Sequence, residues 1–494
     1  MMLRWAEGGR MMGPLKPGRG HVLSVIKHYC TACCVAVGWA LLAAWADLFG
    51  HSSGFALSYS GLTELGNMRV YWLVGLLLLA AAMAAIPRQF ERAKSTLFYC
   101  MPLAASFGTM AFAIAAQQTF FAPEVVALLG IVVAGAGYTW FTCLFCGMLA
   151  ETQSMSCAVG SIVASLALKT VLVQMCTGAL PEASQVGLAI LLPFAIAALA
   201  AAARRGERTR VESDEWKPAP DASASYRYLV PQILVGALAV ATTRVLTPLG
   251  FFGDPLNQFR DAIPTAIGTV CVAAVLVCLG YFVLVKRVKT HLNRRFMPAF
   301  LVVVIAFFVT ALAPSSSGLV AAAAEVFITA VEAFTHALFW TLAVTAIRLK
   351  GASPFRVVGL STGFYDVVSI VWVAAFFSMG VVSNAVILLV ALVLVVLVMW
   401  LIDRGGGEEG SAVPPETMVD RRADVAQRYG LSPRETEVFM MLAQGRSRAF
   451  ISEELVLSEG TVKTHISHIY AKLNVHGRQE MFDLLLAEDE SSAA

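Results

Sequence analysis

Six ionisable residues lie inside otherwise apolar stretches of this chain: Lys169, Arg244, Glu325, Glu332, His336 and Asp366. Burying a charge at the centre of a bilayer costs about 3 kcal/mol on insertion scales, so each such residue is expected to face a cavity or a partner. Glu332 and His336 are four apart and therefore share one helical face, with Glu325 two turns earlier. A cavity lined by Arg244, Lys169 and these acids would suit a small polar or anionic ligand. A structural ion pair, such as Arg244 with Glu325 or with Asp366, uses the same residue types and is an equal alternative. Tyr365, Trp340 and Trp372 read more simply as packing or interfacial aromatics.

No metal or cofactor is implied. The ten cysteines fall in or beside apolar runs, and the two CxxC spacings, Cys30/Cys33 and Cys143/Cys146, lack a second pair or clustered histidines to close a tetrahedral site. Nor is there a nucleophile–base arrangement, a phosphate-binding loop or a receiver-like aspartate cluster, so an enzyme is not expected.

The elements that must position these residues follow from composition. The 494 residues are 58% hydrophobic and 14% charged, which is the balance of a multi-span membrane protein. A span needs about 20 mostly apolar residues, and that filter yields twelve runs, near residues 28–49, 70–86, 96–117, 123–149, 157–177, 186–203, 229–251, 264–285, 297–313, 318–347, 355–381 and 384–402. A polar linker, residues 204–228, separates the first half (28–203) from the second (229–402). Lys and Arg concentrate in the leader (1–27) and in alternate loops, while the opposite side offers only Arg69 and Arg260 beside acids such as Asp47 and Glu64. By the positive-inside rule both termini are expected in the cytoplasm, in an inner membrane. No cleavable signal peptide is expected, because the first apolar run is long and lacks a convincing cleavage site. Met11 and Met12 are plausible alternative starts.

After residue 402 the chain changes to a Gly-, Glu- and Pro-rich tether, 403–430, spanning about 30 Å as a flexible coil. From Leu431 to Leu486 the pattern is different again. Ser432-Pro433-Arg434-Glu435 predicts a helix start with Ser432 at N-cap, Pro433 at N1 and Glu435 closing a capping box. The first helix buries Val438 and Leu442 and stops at Gly445. A second, Ser447 to Leu455, buries Ile451 and Leu455. A third, capped by Ser458, turns Val462, Ile466, Ile469 and Leu473 to one face and leaves Lys463, Thr464 and Ser467 on the other. A fourth, Arg478 to Leu486, completes a four-helix unit, followed by a tail, 487–494.

This module closely resembles the LuxR/FixJ-type helix-turn-helix family. The resemblance is carried by Leu431-Ser432-Pro433-Arg434-Glu435, Leu442-Ala443-Gln444-Gly445-Arg446-Ser447, Leu457-Ser458-Glu459-Gly460-Thr461-Val462-Lys463-Thr464-His465 and Lys472-Leu473-Asn474-Val475 with Arg478. It implies a third helix in the major groove of double-stranded DNA and a fourth that aids dimerisation. By position it implies Lys463 and Thr464 as base or phosphate readers, Ser467 as a further groove contact, and Thr461 and Lys472 as backbone contacts. Asn474 stands where the family usually has Gly, and can replace it by accepting a left-handed conformation. The module carries six Lys/Arg against seven Asp/Glu. With no net basic footprint, it is expected to bind as a dimer or with a neighbour protein.

Two six-span halves joined by a cytoplasmic linker resemble the major facilitator superfamily. Ile86-Pro87-Arg88-Gln89-Phe90-Glu91-Arg92 keeps only the charge of that superfamily's signature loop. The expected fold is all-α, a twelve-helix membrane bundle followed by a cytoplasmic four-helix DNA-binding unit. The expected function is a one-component transcription regulator whose bundle senses a ligand. A transporter with an appended regulatory domain, or a regulator whose bundle is only an anchor, are the alternatives.

Overall fold

The computed structural model describes residues 19–60, 66–150 apart from 118, 155–208, 222–245, 264–286, 296–312, 318–350, 353–379, 425–443 and 457–475, with isolated residues between them. All regular structure among them is helical. The chain divides into two compact units, Met1–Gly405 and Gly406–Ala494.

Among the described residues the first unit is a bundle of eleven long helices: α1 Arg19–His51, α2 Arg69–Ala85, α3 Pro87–Ile114, α4 Pro123–Ala150, α5 Met155–Ala179, α6 Glu182–Arg208, α7 Ala222–Val245, α8 Thr265–Leu279, continued without a break by a π-helical turn to Val285, α9 Met297–Leu312, α10 Leu319–Lys350 and α11 Pro354–Met379. Eight of these contain segments long and apolar enough to cross a membrane. Arg69–Ala85, Leu229–Val245 and Met297–Val309 are apolar but shorter. At 1.5 Å per residue, a 17-residue helix reaches about 26 Å, just under the roughly 30 Å hydrocarbon thickness. Among the described residues, eight of the twelve expected spans are met by helices of that length, and the twelfth run, 384–402, is described at seven positions, all helical, with Leu394 buried in the core. The middle of the 204–228 linker and the tether up to residue 424 lie outside the described residues.

Side chains of opposite kinds explain the two surfaces of the bundle. Leu78, Leu103, Phe107, Leu129, Leu191, Val270 and Val371 point outward and are exposed, as lipid-facing residues must be. Inside, Trp39, Trp45, Trp140, Phe49, Phe55 and Phe112 are fully buried in one continuous core. Small residues let backbones meet directly, the usual device where lipid removes the hydrophobic drive between helices. A Cβ on Gly75 would lie 2.2 Å from the Val132 carbonyl oxygen, one on Gly135 2.5 Å from that of Trp72, and one on Gly359 2.6 Å from that of Ala80. These contacts lock α2 between α4 and α11. Near the same end, Phe355 is buried, stacks on Trp140 and packs against Phe90.

The second unit has its own core of Val438, Phe439, Leu442, Ile451, Val462, Ile466, Ile469, Leu473 and Met481. Its two longer described helices are α12 Pro433–Ala443 and α13 Glu459–Leu473, preceded by a helical turn over residues 425–428. Val425 and Ala426, assigned from sequence to the flexible tether, are helical and buried in this core, so the folded module begins earlier than Leu431. The expected second helix is described only at isolated residues, of which Ile451 is buried, and the expected fourth helix falls almost entirely outside the described residues.

Candidate functional site

In the membrane unit, charged side chains from four helices form a continuous chain. Lys169 on α5 lies 2.8 Å from Oδ2 of Asp47 on α1. Arg244 on α7 donates one guanidinium nitrogen to Asp47 Oδ1 at 2.9 Å and the other to Glu332 Oε1 on α10 at 2.8 Å. His336 Nδ1 sits 3.3 Å from the same Glu332 oxygen. Each carboxylate thus faces two basic groups, a geometry that offsets part of the cost of burying charge. These groups line a cavity of about 80 Å³, whose other lining residues include Arg69, Thr139, Tyr138, Tyr365, Trp39, Trp72 and Trp340. Arg69, buried in the first turn of α2, hydrogen-bonds to Tyr365 on α11.

Four of the six ionisable residues singled out from sequence meet here: Lys169, Arg244, Glu332 and His336. Glu325 is half-buried on the same helix but outside the cavity lining, and Asp366, fully buried on α11 beside Tyr365, is also outside it. The partners suggested for Arg244 are corrected accordingly: it binds Glu332 and Asp47, not Glu325 or Asp366. Asp47 and Arg69 were missed as site residues because the charge count assigned both to the loop side. The available signal was position, since Asp47 falls inside the first apolar run and Arg69 adjoins the second. Trp340 and Tyr365, read as packing residues, both line the cavity.

In the C-terminal unit, local chemistry sets the helices as the sequence predicts. Glu435 N donates to Ser432 Oγ at 3.3 Å while Ser432 N donates to Glu435 Oε2 at 2.8 Å, a reciprocal capping box. Ser458 Oγ accepts from Thr461 N at 3.1 Å and starts α13. Asn474 ends it in the left-handed region, φ 54° and ψ 44°. Val462, Ile466, Ile469 and Leu473 are buried, and Thr461, Lys463, Thr464 and Ser467 are exposed on the opposite side of α13. Thr464 Oγ1 donates to the Gly460 carbonyl at 3.0 Å, which fixes its rotamer.

Lys472 is placed differently from its neighbours. Its ammonium donates to Glu435 Oε2 at 2.7 Å and to the Gly430 carbonyl at 3.0 Å, bracing α13 against α12. That hydrogen bond to Lys472, with the one from Ser432 N, holds the Glu435 carboxyl down at about 2.

The bacterial regulatory protein family luxR matches residues 430–485. Over 60 residues the chain is 43% identical to the spore germination protein GerE of Bacillus subtilis, covering 12% of this chain and 81% of GerE. It is 42% identical over 60 residues to the probable HTH-type transcriptional regulator GfsR of Streptomyces halstedii, again 12% of this chain, but it spans only 25% of that protein. The membrane unit is similar in fold to the crystal structure of a bacterial homologue of the iron transporter ferroportin in its outward-facing state. That likeness has a TM-score of 0.53 at 14% identity and covers 76% of this chain and 99% of the other. At such identity it speaks for a major-facilitator-like fold and no more. Through the module that carries the capping box, the exposed face of α13 and the Asn474 cap, the chain belongs to the LuxR family of bacterial regulatory proteins.

Proposed function

We propose that this protein is a membrane-bound one-component transcription regulator. Its C-terminal module binds double-stranded DNA, and its bundle holds a small polar or anionic ligand that shifts the balance between two bundle states. The observation that carries the reading is the union, in one chain, of a LuxR-family module and a transporter-like bundle whose cavity is lined by paired charges. The protein sits in the inner membrane with both termini cytoplasmic, an orientation supported by the uneven distribution of Lys and Arg between loops.

On DNA, Lys463 and Thr464 read bases or phosphate near the N-terminus of α13, Ser467 adds a groove contact and Thr461 a backbone contact. Lys472 acts within the module, holding α12 and α13 together, in place of the phosphate contact the family resemblance implies. The balanced charge of the module favours binding as a dimer.

Genome-wide occupancy of the full-length protein in its own cells tests this, with Lys463→Ala as control. Discrete peaks that vanish in the variant are expected. Equal profiles for the two proteins would remove α13 as the reading helix. The transporter-like fold keeps a second reading open, a transporter carrying a regulatory domain. Ligand flux that survives deletion of residues 431–486 would favour it.

A further inference from the structure

The cations in the cavity lining outnumber the carboxylates. Among the charged side chains, Lys169 at 9% and Arg244 at 11% keep the most surface, beside the His336 ring at 18%, while Arg69 is 3% exposed. The carboxylates are sunk behind them, Asp47 at 4% and Glu332 at 1%. Both oxygens of Asp47 are taken up by Lys169 and Arg244, so this acid positions cations rather than offering itself to a ligand. Arg69 adds a third obligate cation to the lining, against two acids.

Much of the rest of the wall is aromatic: Trp39, Trp72, Trp340, Tyr138 and Tyr365, beside Thr139, Thr142, Thr362 and a few aliphatic side chains. Trp39 and Trp340 meet edge to face at 5.6 Å, and Trp72 lies 5.9 Å from Tyr138, so the indoles are held in place by one another. By the measure in which one water occupies roughly 10–15 Å³, the cavity of about 80 Å³ holds a molecule no larger than a single ring with a small substituent.

We infer that the ligand of this cavity is a small aromatic organic anion, its charged group against Lys169 and Arg244 and its ring against the tryptophans. An inorganic anion would leave the indole wall without a partner. An amine would meet three cations, Lys169, Arg244 and Arg69, against two carboxylates already paired with Lys169 and Arg244. The inference rests on the reading of this cavity as a ligand site and narrows it to one charge and one shape.

Full-length protein in lipid nanodiscs, followed by thermal unfolding, tests it with a matched panel: benzoate and hydroxybenzoates, benzamide, benzylamine and acetate. Stabilisation by a ring carboxylate is expected, with affinity at least tenfold above that of benzamide and of acetate, and no effect of benzylamine. The double variant Arg244→Gln/Glu332→Gln removes one charge of each sign, isosterically at Glu332 and with a shorter amide at Arg244, so it leaves no unpaired charge between the two positions and is expected to fold and to lose the carboxylate response. Preference for benzylamine or benzamide, or an unchanged carboxylate response in the double variant, would overturn the charge assignment while leaving a ligand site. No response to any compound, with wild-type protein folded, would overturn both the inference and the sensor reading beneath it.

Discussion

Lys463 and Lys472 sit on one helix nine residues apart, and their surroundings give them opposite work. Lys463 is exposed on the face away from the core, whereas Lys472 is spent on Glu435 and a carbonyl. Lys463→Ala is therefore expected to weaken DNA binding at all sequences and, if the contact is to phosphate, to reduce the salt slope by about 1. Titrations at several salt concentrations measure this. Glu435 supplies a different test. Its carboxyl titrates at about 2 in the folded module, below the ordinary 4.5. A depressed carboxyl contributes stability that is complete above its unfolded value and fades as pH falls from about 4.5 toward 2. Glu435→Gln is expected to lower stability at neutral pH and to flatten this acid limb in circular-dichroism unfolding of the 406–494 fragment. The capping box and the Asn474 cap were legible in the sequence because both depend on residues within a few positions of each other. The partners of Arg244 were not, because they lie 88 and 197 residues away and depend on how three helices are rotated. What the sequence did show was that such a charge must have partners, since the apolar run around it leaves no water to replace them.

Helices carry these residues with different tolerances. Asn474 closes α13 with positive φ, a conformation that costs most L-residues roughly 1–2 kcal/mol. Asn474→Gly is expected to be neutral or mildly stabilising, and Asn474→Ala to destabilise the module by about 1 kcal/mol, as read by urea unfolding of the same fragment. An alanine as stable as the glycine variant would show that the cap adds nothing. In the bundle, α2 touches the backbones of α4 and α11 through Gly75, Gly135 and Gly359. Gly359→Leu is expected to push α11 from α2 and to lower the melting temperature of the solubilised protein by several degrees, whereas Gly187→Leu, on open space, is not. Most helix positions were visible as apolar runs. Their status as spans was less so, because hydropathy counts apolar residues, and α2, at 17 residues, is short enough that packing as well as length decides how it sits in the bilayer.

The whole molecule consists of two units with separate cores, and sequence composition alone announced the change of character near Gly405. Because the chain's matching segment covers most of GerE, the module approximates a complete small protein. The fragment Gly406–Ala494 is expected to be soluble and to unfold in a single transition that no bundle ligand shifts; a fragment that stays unfolded would show that the module needs the membrane unit to fold. Within the bundle, the start of α11 has a bearing on time. Phe355 packs on Trp140 and Phe90, and Gly359 on the Ala80 backbone, toward the end that displays Arg88 and Arg356. A solute approaching Arg244 from that end must wait for two helices in backbone contact to part. Its arrival is then clocked by collective helix motion, on the order of microseconds to milliseconds, and its apparent on-rate would level off with concentration instead of rising in proportion to it.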